Sequence, residues 1–123
     1  MNPYDLFIFA GEASADVHGA ELVHQLKLLQ PSLKIAAVAG PCMRRQAVDV
    51  IMPMEKFSVL GFVDVFLALP RLLYYFFFLK NYLLKSSVKA AVFIDYPGFN
   101  LRLQKALRKQ NFKGKLIHYI CPT

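Results

Sequence analysis

A chain of 123 residues has the size of one ordinary domain and is short for a complete two-substrate enzyme. Its 56% apolar and 14% aromatic content excludes a disordered or solvating segment, so the excess apolar surface must be buried against something. The net charge of +7 divides unevenly: residues 1–64 carry seven acids against five bases, whereas residues 65–123 carry Asp95 alone against ten bases. Such a basic half suits nucleic acid, anionic lipid or a phosphorylated substrate, and its interleaving with aromatic and leucine-rich sequence favours lipid. Phe112 is the lone aromatic within the basic stretch 102–115, which argues against nucleic acid. Cys42 and Cys121 lie far apart without metal-ligand spacing, so neither a disulfide framework nor a zinc site is indicated. The N-terminus lacks a basic n-region and a cleavage signal, and the chain reads as cytoplasmic.

Residues 4–10 form a nearly continuous apolar run, as a strand buried on both faces requires. From Ser14 onward Val17, Leu22, Val23, Leu26 and Leu29 recur at roughly helical spacing until Pro31 closes the segment. A strand is predicted over 34–38, a turn at Ala39-Gly40-Pro41, a short helix over 43–47 and a strand over 49–52 before Pro53. Residues 89–94 read as another buried strand, followed by the turn Asp95-Tyr96-Pro97-Gly98. Next comes a helix with Phe99, Leu103, Ala106 and Leu107 on one face and Arg102, Lys105 and Lys109 on another. A fifth strand follows over 116–120. Alternation of this kind predicts an α/β fold, a Rossmann-like parallel sheet flanked by helices that binds ligands outside the carboxyl ends of its strands.

Between the third and fourth strands, residues 57–84 are apolar but interrupted by Asp64, Pro70, Arg71 and Lys80, so they do not read as a membrane span. Leu72, Tyr75, Phe76, Leu79 and Leu83 fill one helical face, and Leu73, Tyr74, Phe77, Phe78 and Leu84 remain for the others. Two readings stay open. The helix packs on the sheet and on a second domain or subunit, or it dips into a bilayer through Phe66, Leu69, Leu72, Leu73, Phe76 and Leu79. In the second reading Arg71, Lys80, Lys85 and Lys89 meet anionic headgroups.

Two loops follow strands and could carry chemistry. Gly11-Glu12-Ala13-Ser14-Ala15-Asp16-Val17-His18-Gly19 is neither a dinucleotide fingerprint nor a P-loop. Glu12, Ser14, Asp16 and His18 can hydrogen-bond sugar hydroxyls, although Ser14 and Asp16 read equally well as helix caps. Asp95, at the end of the fourth predicted strand, can accept a proton from a bound hydroxyl or serve as a turn residue. No metal site and no cofactor are expected.

Three blocks, Gly11-Glu12-Ala13-Ser14-x-Asp16-x-His18-Gly19-Ala20, Met54-Glu55-Lys56-Phe57-Ser58-Val59-x-Gly61-Phe62-Val63 and Asp95-x-Pro97-x-Phe99-Asn100, resemble the lipid A disaccharide synthases. The terminal Ile117-His118-Tyr119-x-x-Pro122-Thr123 looks like that family's next motif, and order and spacing match across essentially the whole chain. The resemblance implies the N-terminal, acceptor-binding domain of a GT-B type, metal-independent inverting glycosyltransferase. Residues 1–123 would be that domain, incomplete, with the C-terminal nucleotide-sugar domain absent from this chain.

The implied hexosyltransferase reaction joins UDP-2,3-diacylglucosamine to 2,3-diacylglucosamine 1-phosphate, giving lipid A disaccharide 1-phosphate and UDP. By the same resemblance Asp95 is the general base, and Gly11, Glu12, Ser14, Asp16, His18 and Asn100 bind the acceptor. The protein would be peripheral on the cytoplasmic face of the inner membrane, against anionic lipid, with homo-oligomer formation left open. The alternative is a stand-alone membrane-surface module that binds lipid or phosphosugar without catalysis. Ala15 stands where the family usually has glycine, as does Ala39 in a usual Gly-Gly-Pro turn, which raises the question of loop geometry.

Overall fold

The computed structural model describes residues 4–46, 48–57, 61–86, 88–94 and 97–119, with residues 61–69 and 97–100 followed by their backbone. Strand β1 spans Leu6–Ala10, helix α1 Ala13–Leu29, β2 Ile35–Ala39, α2 Pro41–Arg44 and β3 Asp49–Pro53. A 3-10 turn at Met54–Phe57 follows, then α3 Gly61–Lys85, β4 Ala90–Ile94, α4 Pro97–Lys109 and β5 Lys115–Tyr119. The five strands form one parallel sheet in the order β3-β2-β1-β4-β5. The expected Rossmann-like sheet is therefore present, with strand limits close to those read from the apolar runs.

Strands β2 and β4 are buried at every position, which their all-apolar sequences permit and two-sided burial demands. On one face Phe7, Phe9 and Phe93 meet Leu79 and Leu83 of α3 and Leu103 and Leu107 of α4. On the other, Ile8, Ala37, Val92 and Ile94 meet Ala15 and Val23 of α1 and Met43 of α2. Helices thus divide by face, and the strand order reverses beside β1. Strand β5, at the sheet edge, alternates exposed and half-buried positions.

Helix α2 forms at Pro41–Arg44 rather than over 43–47. Proline's fixed φ starts it at its first position, and its N-terminal amides are capped from another element, as described below. The apolar segment forms one 25-residue helix that runs through Pro70. Proline there removes one intrahelical hydrogen bond, which the packing of Leu79 and Leu83 outweighs at about 1.5–3 kcal/mol per buried side chain. Among the described residues no helix is long and apolar enough to cross a membrane. Helix α4 closes with Asn111 in the left-handed region (φ 63°) and the Phe112 amide bonded to the Leu107 carbonyl at 3.0 Å.

Candidate functional site

In the sheet register Ala10, Ile94 and Tyr119 lie side by side at the carboxyl ends of β1, β4 and β5. The carboxyl ends of β1 and β4 therefore adjoin at the point of order reversal, where open α/β sheets bind ligands. Gly11 is buried and Glu12 half-buried. Glu12 is the N-cap of α1, extended at φ −150° and ψ 168°, and its side chain does not cap the helix. Ser14 is exposed on the first turn. His18, one turn on, meets Tyr119 edge to face, with ring centroids 6.3 Å apart at 84°. Glu12, Ser14 and His18 thus lie along the first two turns of α1, at the carboxyl end of β1. Asp95 lies outside the described residues, and Asn100 is fixed by its backbone in the first turn of α4.

Asp16 requires a correction. Read from sequence as a sugar-hydroxyl partner or as a cap of its own helix, it is 2% exposed. Its Oδ1 accepts the amides of Gly40 (3.1 Å) and Met43 (2.9 Å), and its Oδ2 accepts that of Cys42 (2.8 Å). The carboxylate caps α2, not its own helix, and its negative charge faces the positive end of the α2 peptide dipoles. Gly40 is needed for space: a Cβ there would lie 2.6 Å from the Asp16 carboxylate carbon. Ala15 and Ala39, by contrast, have methyl groups fully buried in the α1-side core, and neither has a positive φ. Both methyls are therefore accommodated without strain.

Arg44 extends the rim. Its guanidinium donates to the Ala39 carbonyl at 3.0 Å and forms a two-pronged ion pair with Glu55 at 3.0 and 2.8 Å. That pair lowers the Glu55 carboxyl to about 2, chiefly through the hydrogen bond from Arg44, and raises Arg44 in turn. Sequence reasoning missed both residues, because a pair eleven positions apart across a strand has no spacing signal. It also missed Tyr119 as the ring against His18, a pairing that depends on β5 lying beside β4.

The outer face of α3 is apolar and bare. Leu73 is 55% exposed, Tyr74 66%, Phe77 50% and Phe78 41%. The Lys80 ammonium lies 4.9 Å from the Phe77 ring centre, a cation placed over an exposed ring. On neighbouring α4, Leu101, Arg102, Lys105 and Lys109 are exposed. Of the residues expected to touch a bilayer, Leu73 is on this face, whereas Leu72 and Phe76 are half-buried against the core. Leu79 is corrected: it is fully buried between α3 and the sheet and reaches no outer surface. The side chains of Phe66 and Leu69 lie outside the described residues.

Among the described residues no group of His, Cys, Asp and Glu could hold a metal ion. A hollow of about 300 Å³ lies at the opposite, amino end of the sheet, lined by Asp5, Leu6, Leu26, Leu29, Gln30, Leu33 and Lys89, none of them a candidate site residue.

A parallel sheet that reverses order beside its first strand, with helices on both faces, is a domain of the Rossmann-like class. The chain belongs to the lipid-A-disaccharide synthetase family, which matches residues 6–123. It is 41% identical over 117 residues to the lipid-A-disaccharide synthases of Chlamydia pneumoniae and of Chlamydia trachomatis serovar D, covering 95% of this chain and 19% of each relative. It is 37% identical over 118 residues to that of Anaeromyxobacter dehalogenans, covering 96% of this chain and 30% of the relative. The chain therefore spans from a fifth to under a third of the length of these relatives.

Proposed function

We propose that this domain binds the acceptor in a membrane-surface glycosyltransferase that makes lipid A disaccharide 1-phosphate. The donor, UDP-2,3-diacylglucosamine, would be held by a second domain. The observation that carries the reading is the family match over residues 6–123, on a sheet whose strand order reverses beside β1 as in folds that bind ligands at that point. The acceptor is 2,3-diacylglucosamine 1-phosphate. Its 6-hydroxyl loses a proton to the Asp95 carboxylate as the oxygen attacks the anomeric carbon, and the bond to UDP breaks on the opposite face. Glu12, Ser14, His18 and Asn100 hydrogen-bond the acceptor sugar.

Both substrates are acylated, so the bare face of α3 would rest on the cytoplasmic leaflet of the inner membrane while the α4 cations meet its anionic headgroups. The test is Asp95→Asn in the full-length protein, which keeps size and most hydrogen bonding but cannot accept the proton. The expected result is a fall in kcat of roughly 10²–10⁴ with acceptor KM little changed. A near-normal kcat would make Asp95 a turn residue. Acceptor binding without any transfer by the wild type would make the protein a binding module.

A further inference from the structure

We infer that Asp16 is a positioning residue that sets acceptor affinity without touching the acceptor, by holding the first turn of α1 to α2; the inference rests on the proposed transferase reading. A short helix is ordinarily capped by a serine, threonine or asparagine at its own start. Helix α2 starts at Gly40, which has no side chain to offer, and takes its cap from a carboxylate 24 to 27 positions earlier. Asp16 is also the buried charged side chain of the described residues, and burying a carboxylate is unfavourable unless it is fully hydrogen-bonded. A local cap would close α2 without that cost. What the distant carboxylate adds is a tie between the loop after β1 and the loop after β2.

The tie acts where the acceptor residues stand. The Asp16 amide makes the first backbone bond of α1, to the Glu12 carbonyl at 2.9 Å, so the residue whose carboxylate caps α2 stands in the turn that Glu12 opens. One turn later Gly19 lets α1 sit directly on α2 and β4: a Cβ there would lie 2.5 Å from the Met43 sulfur and 3.2 Å from Ile94. Helix α1 is thus pinned at Asp16 and at Gly19, in both cases to α2. Ser14 and His18 fall within or beside that pinned turn. Arg44, bonded to the Ala39 carbonyl and to Glu55, fastens α2 in turn to the segment after β3.

Asp16→Asn isolates the effect in the full-length protein. The amide oxygen can still serve Gly40 and Met43, but its NH₂ faces the Cys42 amide, donor against donor. Steady-state kinetics with the two acylated sugars in mixed micelles should show acceptor KM raised about tenfold, with kcat within about twofold and donor KM unchanged. Gly40→Ala, which pushes a methyl against the Asp16 carboxylate, opens the same tie from the other side and should give the same signature. Val23→Ala, a cavity in the α1-side core away from the loops, is the comparator and should lower Tm without moving any of the three constants.

The inference is overturned if Asp16→Asn lowers Tm with acceptor KM unchanged, if Val23→Ala raises acceptor KM equally, or if kcat falls about a hundredfold, which would put Asp16 on the reacting atoms. Should Asp16→Asn fail to fold, Gly40→Ala decides by the same criteria. If the wild type transfers no sugar, the transferase reading fails by itself. Calorimetric binding of 2,3-diacylglucosamine 1-phosphate to wild type and the two variants then tests the tie directly: about tenfold weaker binding supports it and equal binding overturns it.

Discussion

The rim over β1 to β3 and the outer face of α3 lie on opposite sides of one sheet, and their side chains do opposite things. At the rim, Asp16 takes three backbone amides and Arg44 takes a carbonyl and a carboxylate, so each polar group has a fixed partner. On α3, Leu73, Tyr74, Phe77 and Phe78 present apolar surface to the surroundings. The rim is specified by direction and distance, whereas the α3 face is specified by area alone. Partners of the first kind hold loops in one shape, and a surface of the second kind suits a partner without fixed geometry, as a lipid surface is.

The comparison breaks most severely if the rim proves dispensable. Asp16→Ala leaves three amides at the start of α2 without their acceptor, and urea unfolding should show a loss of about 3 kcal/mol. A loss below about 0.5 kcal/mol would mean that water or another group replaces the carboxylate readily.

The α3 face should behave in the opposite manner. Replacing Leu73, Phe77 and Phe78 together with serine should cut flotation with anionic vesicles by roughly tenfold while leaving the far-UV circular dichroism and Tm near normal. Leu79→Ser on the same helix should instead destabilise by about 3 kcal/mol, because it places a hydroxyl and a cavity in the core. Raised salt should weaken vesicle binding only partly, since the apolar contribution persists. Unchanged flotation of the triple variant would assign the exposed rings to a protein partner.

The smallest effect sharpens the rim itself. Glu55 is held down to about 2 by Arg44, whereas an unfolded chain titrates it near ~4.3. A depressed carboxyl contributes stability above the unfolded value, and that contribution is lost as pH falls from there toward the folded value. Carboxyl chemical shifts should therefore give a Glu55 midpoint below that of a free glutamate, and Glu55→Gln should slightly flatten the stability profile in that acidic window. At neutral pH the pair is exposed and its removal should change Tm little.

Much of the fold was legible because β1, β2 and β4 are apolar runs too short for helices and too uniform for one-sided strands. The start of α2 was not, since its cap comes from a residue that only the folded sheet brings near. Helical periodicity put Leu79 and Leu73 on different faces, but it did not say which face meets the sheet. The segment Leu72 to Leu79 is apolar all the way round, so either face could have been the buried one, and the phenylalanines of β1 and β4 make the choice. In the loop after β1 the sequence could not separate inside from outside. Glu12 and Asp16 sit one turn apart and share their chemistry, yet one is half-exposed and the other is sealed in against α2.

The place of β1 in the sheet also governs the order in which the domain can be made. Leu6 pairs with Ile35 on one side and with Ala90 on the other. At roughly 5–20 residues per second on the ribosome, the first partner emerges long before the second. Strands β1 to β3, with α1, α2 and the Asp16 tie, can close early, while Phe7 and Phe9 still await Phe93. Helix α3 emerges in that interval, with its sheet-facing leucines as uncovered as its outer aromatic side chains. The nascent chain is then at its most adhesive, and whichever chaperone or bilayer is nearest will meet it in that state.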